Sequence, residues 1–79
     1  MHDYDYDLEA IALRIKQRSK SKNISMKSLL SGCNLGINAI SEMSKGKAMS
    51  SINLARIADR LDCSVDYLLG RTDKPEINR

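Results

Sequence analysis

Residues 26–45, MKSLLSGCNLGINAISEMSK, decide how this chain is read. Leu29 and Leu30 belong to one short helical segment. Ile40 and Met43, three apart, mark one face of a second segment at the 3.6-residue period. Between the two the chain must reverse, and it does so at Asn34. Asparagine is the non-glycine residue that best tolerates a left-handed backbone, and Gly36 adds freedom just before the second segment. Cys33 and Leu35 fall at apolar positions around the turn. The pattern predicts two short helices crossed over a tight turn. The outer face of the second helix is then left over, and it carries Ile37, Asn38, Ser41 and Glu42.

The flanking sequence predicts three more helices. Upstream, Leu8, Ile11, Ala12 and Ile15 fall at i, i+3, i+4 and i+7, an amphipathic stripe for a helix over 7–22. Asp5, Asp7 and Glu9 near its start and Lys20 and Lys22 near its end suit the helix dipole, and Asn23 is a left-handed stop. Ser25 is the natural N-cap of a helix over 26–32. The helix after the turn is expected over 37–44, ending at Lys45 and Gly46. Ser51 is expected to cap a helix over 52–62 whose buried face is Leu54, Ile57, Ala58 and Leu61. Ser64 caps a last short helix over 65–69, stopped by Gly70, with Val65, Leu68 and Leu69 closing the core. The expectation is an all-α, compact five-helix bundle. An acidic extension spans 1–6, the helical domain 7–70, and a mobile tail containing Pro75 spans 71–79.

Composition supports this class. The chain has no Trp, no Phe and a single Val, at position 65, so its core must be aliphatic, which disfavours an all-β sandwich. No apolar run approaches the ~18 residues a membrane span needs. The start, MHDYDYD, lacks the basic-then-apolar order of a signal peptide, and a cytoplasmic location is expected. Cys33 and Cys63 have no CxxC arrangement, and His2 stands alone. They read as two reduced core thiols, with no metal or cofactor. No nucleophile–histidine pair or glycine-rich phosphate loop is present, and Tyr4, Tyr6 and Tyr67 are isolated. Neither an enzyme nor a small-molecule site is expected.

Charge is unevenly distributed. From Arg14 to Lys47 there are eight basic residues and one acid, Glu42, a local balance of +7 that leaves −4 on the rest of a chain whose net charge is +3. A basic centre with acidic ends suits a nucleic-acid face, although a charge run is also what a solvated helix face looks like. The free outer face of the second helix in a helix-turn-helix suits the major groove of DNA.

At this point the chain resembles the Cro/repressor-type helix-turn-helix regulators, the XRE family, in the short form typical of phage and mobile elements. The resemblance runs from about Ile11 to Arg71. It rests on Arg14-Ile15-Lys16, Ile24-Ser25, Ile40-Ser41, Gly46, the Leu54, Ile57, Ala58, Leu61 spacing, and the ending Ser64-Val65-Asp66-Tyr67-Leu68-Leu69-Gly70. It departs from the family at Asn34, where Gly is usual, at Leu30 in place of a small Ala, at Arg18 in place of an apolar residue, and at Met26 in place of Gln.

The resemblance implies a DNA-binding transcriptional regulator, a repressor binding a two-fold operator of double-stranded DNA as a homodimer. It implies base contacts from Ile37, Asn38, Ser41 and Glu42. Asn38 suits an adenine edge, Glu42 a cytosine amino group, and Ile37 a thymine methyl, with Ser41 unselective. Phosphate contacts are expected from Ser25, Lys27, Ser28, Gly36, Lys45 and Lys47, where helix N-termini and the loop lysines favour anions. The dimer surface is expected on the last helix, at Val65, Tyr67 and Leu68. With no room for an effector domain in 79 residues, regulation is expected through concentration, dimerisation or a partner protein. The rival expectation is a protein-interaction module of the same fold, an antitoxin or antirepressor-type partner, with secondary DNA binding.

Overall fold

Residues 6–77 are described by the structure, a computed structural model; the rest of the expected acidic extension, with His2 and Tyr4, lies outside the described residues. Among the described residues there are five helices and no strand: α1 (Leu8–Ser21), α2 (Met26–Gly32), α3 (Ala39–Ser44), α4 (Ser51–Arg60) and α5 (Val65–Leu69). The all-α class and the number of helices agree with the sequence reading.

Four of the five helices begin on a side-chain oxygen that accepts a backbone N–H of the first turn. Asp7 accepts from Glu9 N at 3.0 Å, Ser25 from Ser28 N at 3.1 Å, Ser50 from Asn53 N at 3.1 Å, and Ser64 from Tyr67 N at 3.0 Å. Each satisfies a donor the helix itself cannot. The cap of α4 is therefore Ser50, one residue before the expected Ser51. Ser50 holds the extended backbone that an N-cap requires, and Ser51 is already helical. The helix α3 starts two residues later than expected. Ile37 and Asn38 form a turn closed by Ala39 N donating to Gly36 O at 3.1 Å, and the first full-turn bond runs from Glu42 N to Asn38 O at 2.8 Å.

The helix ends use a different device. Asn23 (φ 58°) and Asn34 (φ 57°) take the left-handed conformation expected of them, and Asp62 (φ 52°) takes it as well. Arginines from distant helices then close the exposed carbonyls. Arg18 on α1 donates from Nε to Leu61 O at 3.0 Å and from Nη2 to Asp62 O at 2.8 Å, covering the end of α4. Arg14 reaches Leu68 O on α5 at 3.4 Å, and Arg60 reaches Gly32 O on α2 at 3.4 Å. Gly70 (φ 86°) fits this scheme twice, since a Cβ there would be strained and would lie 2.6 Å from the Arg14 guanidinium.

The core is mainly aliphatic, with Met43, Cys33 and Cys63 among its buried side chains. Ile15, Leu29, Ile57, Leu61 and Leu68 are each 0% exposed. α1 packs on α2, α3 and α5, while α4 packs on α2 and α5, so α1 is the hub. Each such side chain contributes about 1.5–3 kcal/mol relative to its exposed state, and it is this burial, not helix propensity, that holds segments as short as five residues. Among the described residues one polar side chain, Ser19, is buried, and its Oγ donates to Ile24 O while Ile24 N donates back to Ser19 O at 2.9 Å. Residues 71–77, expected as a mobile tail, run back to the body. Ser64 N donates to Pro75 O at 2.9 Å, and Arg71 pairs with Asp66 at 3.2 Å. Pro75 supplies a carbonyl here, a role that apolar periodicity does not reveal.

Two outcomes follow from this packing. Replacing Arg18 with Met keeps the aliphatic stem but strips the α4 carbonyls of their donor, and it should lower stability by about 1.5 kcal/mol in urea denaturation; an unchanged midpoint would mean water serves those carbonyls equally well. Cys33 and Cys63 are free and buried, and burial pushes the Cys63 thiol up, against an opposing pull from Arg18. Both thiols should react slowly with a disulfide reagent in the native protein at neutral pH and fully once denatured. Rapid native labelling would contradict the burial.

Candidate nucleic-acid interface

The short helix α3 is divided cleanly into two faces. Ile40 (3% exposed) and Met43 (2% exposed) enter the core, while Ser41 and Glu42 are exposed on the opposite side. Because α3 is only six residues long, these two faces use nearly all of it. Ile37 and Asn38 extend the outer surface in the turn just before the helix. Ile37 is 71% exposed, the most exposed of the large apolar side chains among the described residues. Asn38 occupies the N-cap position but makes no capping hydrogen bond, unlike the residues that open the other four helices. Its amide is consequently not committed to the helix.

The sequence candidates gather around this surface to different degrees. Gly36, Ile37, Asn38, Glu42 and Lys47 line one shallow groove of about 560 Å³ between the start of α3 and the loop to α4. Ser41 lies on the exposed face outside that groove, with its Oγ donating to Asn38 O at 2.9 Å. Ser25, Lys27 and Ser28 are exposed at the start of α2, with the Ser25 oxygen taken up in capping. Lys45 is exposed and forms no ion pair with any described residue, whereas Lys47 lies 3.6 Å from Glu42. Ser50 and Asn53, at the start of α4, line the same groove and were not among the sequence candidates. The cap pattern Ser50-x-x-Asn53 is the sequence signal that sets them at the start of α4.

The structure redistributes the basic run. Arg14 and Arg18 are turned to the ends of α5 and α4, and Lys22 lies 3.7 Å from Asp62. Lys16, Lys20, Lys27 and Lys45 are exposed without an ion pair among the described residues. Three members of the run thus meet partners within the molecule, and these four lysines face solvent.

On α5, Val65 and Tyr67 are half-buried and still present surface, but Leu68 is 0% exposed. Its expected place on a dimer surface is corrected accordingly. Leu68 is enclosed in the core with the other large aliphatic side chains and offers nothing to a second copy. No helix among the described residues is long and apolar enough to cross a membrane, and no group of His, Cys, Asp or Glu among them is arranged to hold a metal ion.

Residues 14–74 match the family described as the Cro/C1-type helix-turn-helix DNA-binding domain, and the chain belongs to that family. Its helix-turn-helix is formed by α2, the turn at Asn34, and α3. Comparison with curated proteins and with solved structures returns no match.

The division of α3 into an inner and an outer face has a direct consequence for stability. Ile37→Ala should change it by no more than about 0.5 kcal/mol, as for an ordinary surface position. Ile40→Ala, three residues along, should cost about 2–5 kcal/mol. Thermal melts of the two variants separate these values, and equal destabilisation would mean that Ile37 packs inward.

Proposed function

We propose that this Cro/C1-type helix-turn-helix chain is a transcriptional repressor of the cytoplasm that binds a two-fold operator as a homodimer, with α3 in the major groove. The observation that carries the reading is the commitment of Ile40 and Met43 to the core, which leaves Ser41 and Glu42 outward beside Ile37 and Asn38. A helix held in this way can lie along a groove without disturbing the fold beneath it. Asn38 donates to and accepts from an adenine edge, Glu42 accepts from a base amino group, and Ile37 contacts a thymine methyl, with Ser41 as an unselective partner. Ser25, Lys27 and Ser28 at the start of α2, the backbone at Gly36, and Lys45 and Lys47 after α3 hold phosphates on either side. These contacts set register, and the base contacts set sequence.

A two-fold operator places its half-sites ~34 Å apart, so two copies must hold their α3 helices at that spacing. Val65 and Tyr67 on α5 are assigned to that contact, being half-buried and outside the groove at the start of α3. The second reading, a protein-interaction module with secondary DNA binding, draws support from one observation, the 71% exposure of Ile37 on the outer surface. An apolar side chain in that position serves a thymine methyl or a partner protein, and the binding experiment distinguishes the two.

Affinity for duplex DNA should fall by ~10³–10⁵ between 50 and 200 mM salt if a dimer neutralises ~6–10 phosphates. Fluorescence anisotropy with a labelled duplex measures this, and an affinity that stays flat across the range contradicts the reading. Within the bound complex, Asn38→Ala should cost about 1–3 kcal/mol at one base position and leave non-specific binding nearly unchanged. Lys45→Ala should weaken all duplexes alike and reduce the salt slope by about one. The reverse pattern would mean that selectivity does not come from the outer surface of α3.

A further inference from the structure

Glu42 is the only acid between Arg14 and Lys47, and it stands on the outer face of α3. The loop after α3 folds back onto it. Gly46 takes φ 102°, a backbone that side-chain-bearing residues rarely adopt, and this turn brings Lys47 N to donate to Glu42 O at 3.0 Å, the carbonyl that already accepts from Lys45 N at 3.0 Å. The same turn carries the Lys47 ammonium to 3.6 Å from the Glu42 carboxylate, while both side chains stay open to solvent. The free protein therefore pairs the residue assigned to a base with a residue assigned to a phosphate.

We infer that the Glu42–Lys47 pair is a specificity latch, closed on non-specific DNA and opened by a base that offers an amino group to Glu42. The inference rests on the reading that α3 enters the major groove. Electrostatics gives the two states. Against a base edge that presents only acceptors, the Glu42 carboxylate has no donor and keeps Lys47, so this lysine is withheld from the phosphates. Against a cytosine or adenine amino group the Glu42 side chain turns to the base edge and away from the loop, and the ammonium it leaves behind goes to a phosphate oxygen. Sequence recognition and phosphate neutralisation are thereby coupled through one ion pair. An exposed pair of this kind is weak, so either partner is exchanged without disturbing the fold. Lys47 acts on specificity through Glu42 and is a positioning residue in that respect.

The latch has a thermodynamic signature, because each phosphate neutralised adds about 0.9 to the slope of log affinity against log salt. The full chain is used to select a preferred duplex from a random library, and binding to that duplex and to a scrambled one is followed over a salt series. Glu42→Gln should steepen the slope on the scrambled duplex by about 0.9 per protomer, because Lys47 is freed. It should also tighten binding to that duplex and lower the selected-to-scrambled ratio by about tenfold. Lys47→Ala should flatten the slope on the selected duplex by about 0.9 per protomer and that on the scrambled duplex by clearly less. Lys47→Arg preserves both pair and charge, and it should behave as the parent chain does. A purely structural role for the pair would shift both duplexes equally and lower the melting temperature of the free variants. If the parent chain selects a duplex but Glu42→Gln leaves the scrambled slope where it was, the latch is wrong and the groove reading stands. If the parent chain selects no duplex, both fall.

Discussion

Helices of five to fourteen residues leave a large share of their backbone groups without an intrahelical partner, and those groups must be satisfied before any core can form around them. This chain meets the demand asymmetrically. The starts of α1, α2, α4 and α5 are closed by a residue next door, whereas the ends of α2, α4 and α5, besides the local backbone bonds that follow Asn34, Asp62 and Gly70, receive arginines from elsewhere in the chain. The arginine at an end carries out two tasks at once. Its charge suits the negative pole of the helix, and its length ties that helix to another. Arg18 and Arg14 both leave from α1, which is also the element packed on α2, α3 and α5. The hub of the apolar core is thus the hub of the polar fastening.

That arrangement explains what could be read in the sequence. Ser25 and Ser64 were legible as caps, and Asn23 and Asn34 as left-handed stops, since each acts within a few residues of itself. The buried stripes of α1 and α4 were legible for the same reason, through their period. The arginine contacts were not, because Arg18 meets its carbonyls 43 and 44 residues away, Arg60 at 28 and Arg14 at 54. A residue whose partner is set by tertiary packing leaves no local trace. The resemblance noted that Arg18 replaces an apolar residue, and the structure supplies the reason for it. Leu68 fails in the opposite direction. Its neighbours Val65 and Tyr67 keep some surface, and nothing in a five-residue segment says which of three apolar positions is fully enclosed.

The same distinction sharpens the account of charge. A balance of +7 over the centre of the chain overstates what DNA could meet, because Arg14 and Arg18 are engaged with carbonyls and Lys22 with Asp62. The lysines of α2 and of the loop after α3 remain outward on either side of the α3 surface. The effect of Lys27 and Lys45 on affinity is expected to be general, that of Lys47 to depend on Glu42, and selectivity is assigned to the four side chains beside them. Glu42 stands between these roles, since its carboxylate opposes phosphate and discriminates among bases.

The central claim is that the outer surface of α3, with the turn before it and the loop after it, meets duplex DNA while the opposite side of the molecule does not. Titrating the ¹⁵N-labelled chain with a duplex that it selects, and following every backbone amide by NMR, tests this directly. The account predicts that the largest shifts fall on residues 25–28 and 36–47, with the interior of α1 nearly unmoved. Shifts concentrated instead on the exposed side of α1 or along 71–77, with residues 36–47 silent, would contradict it.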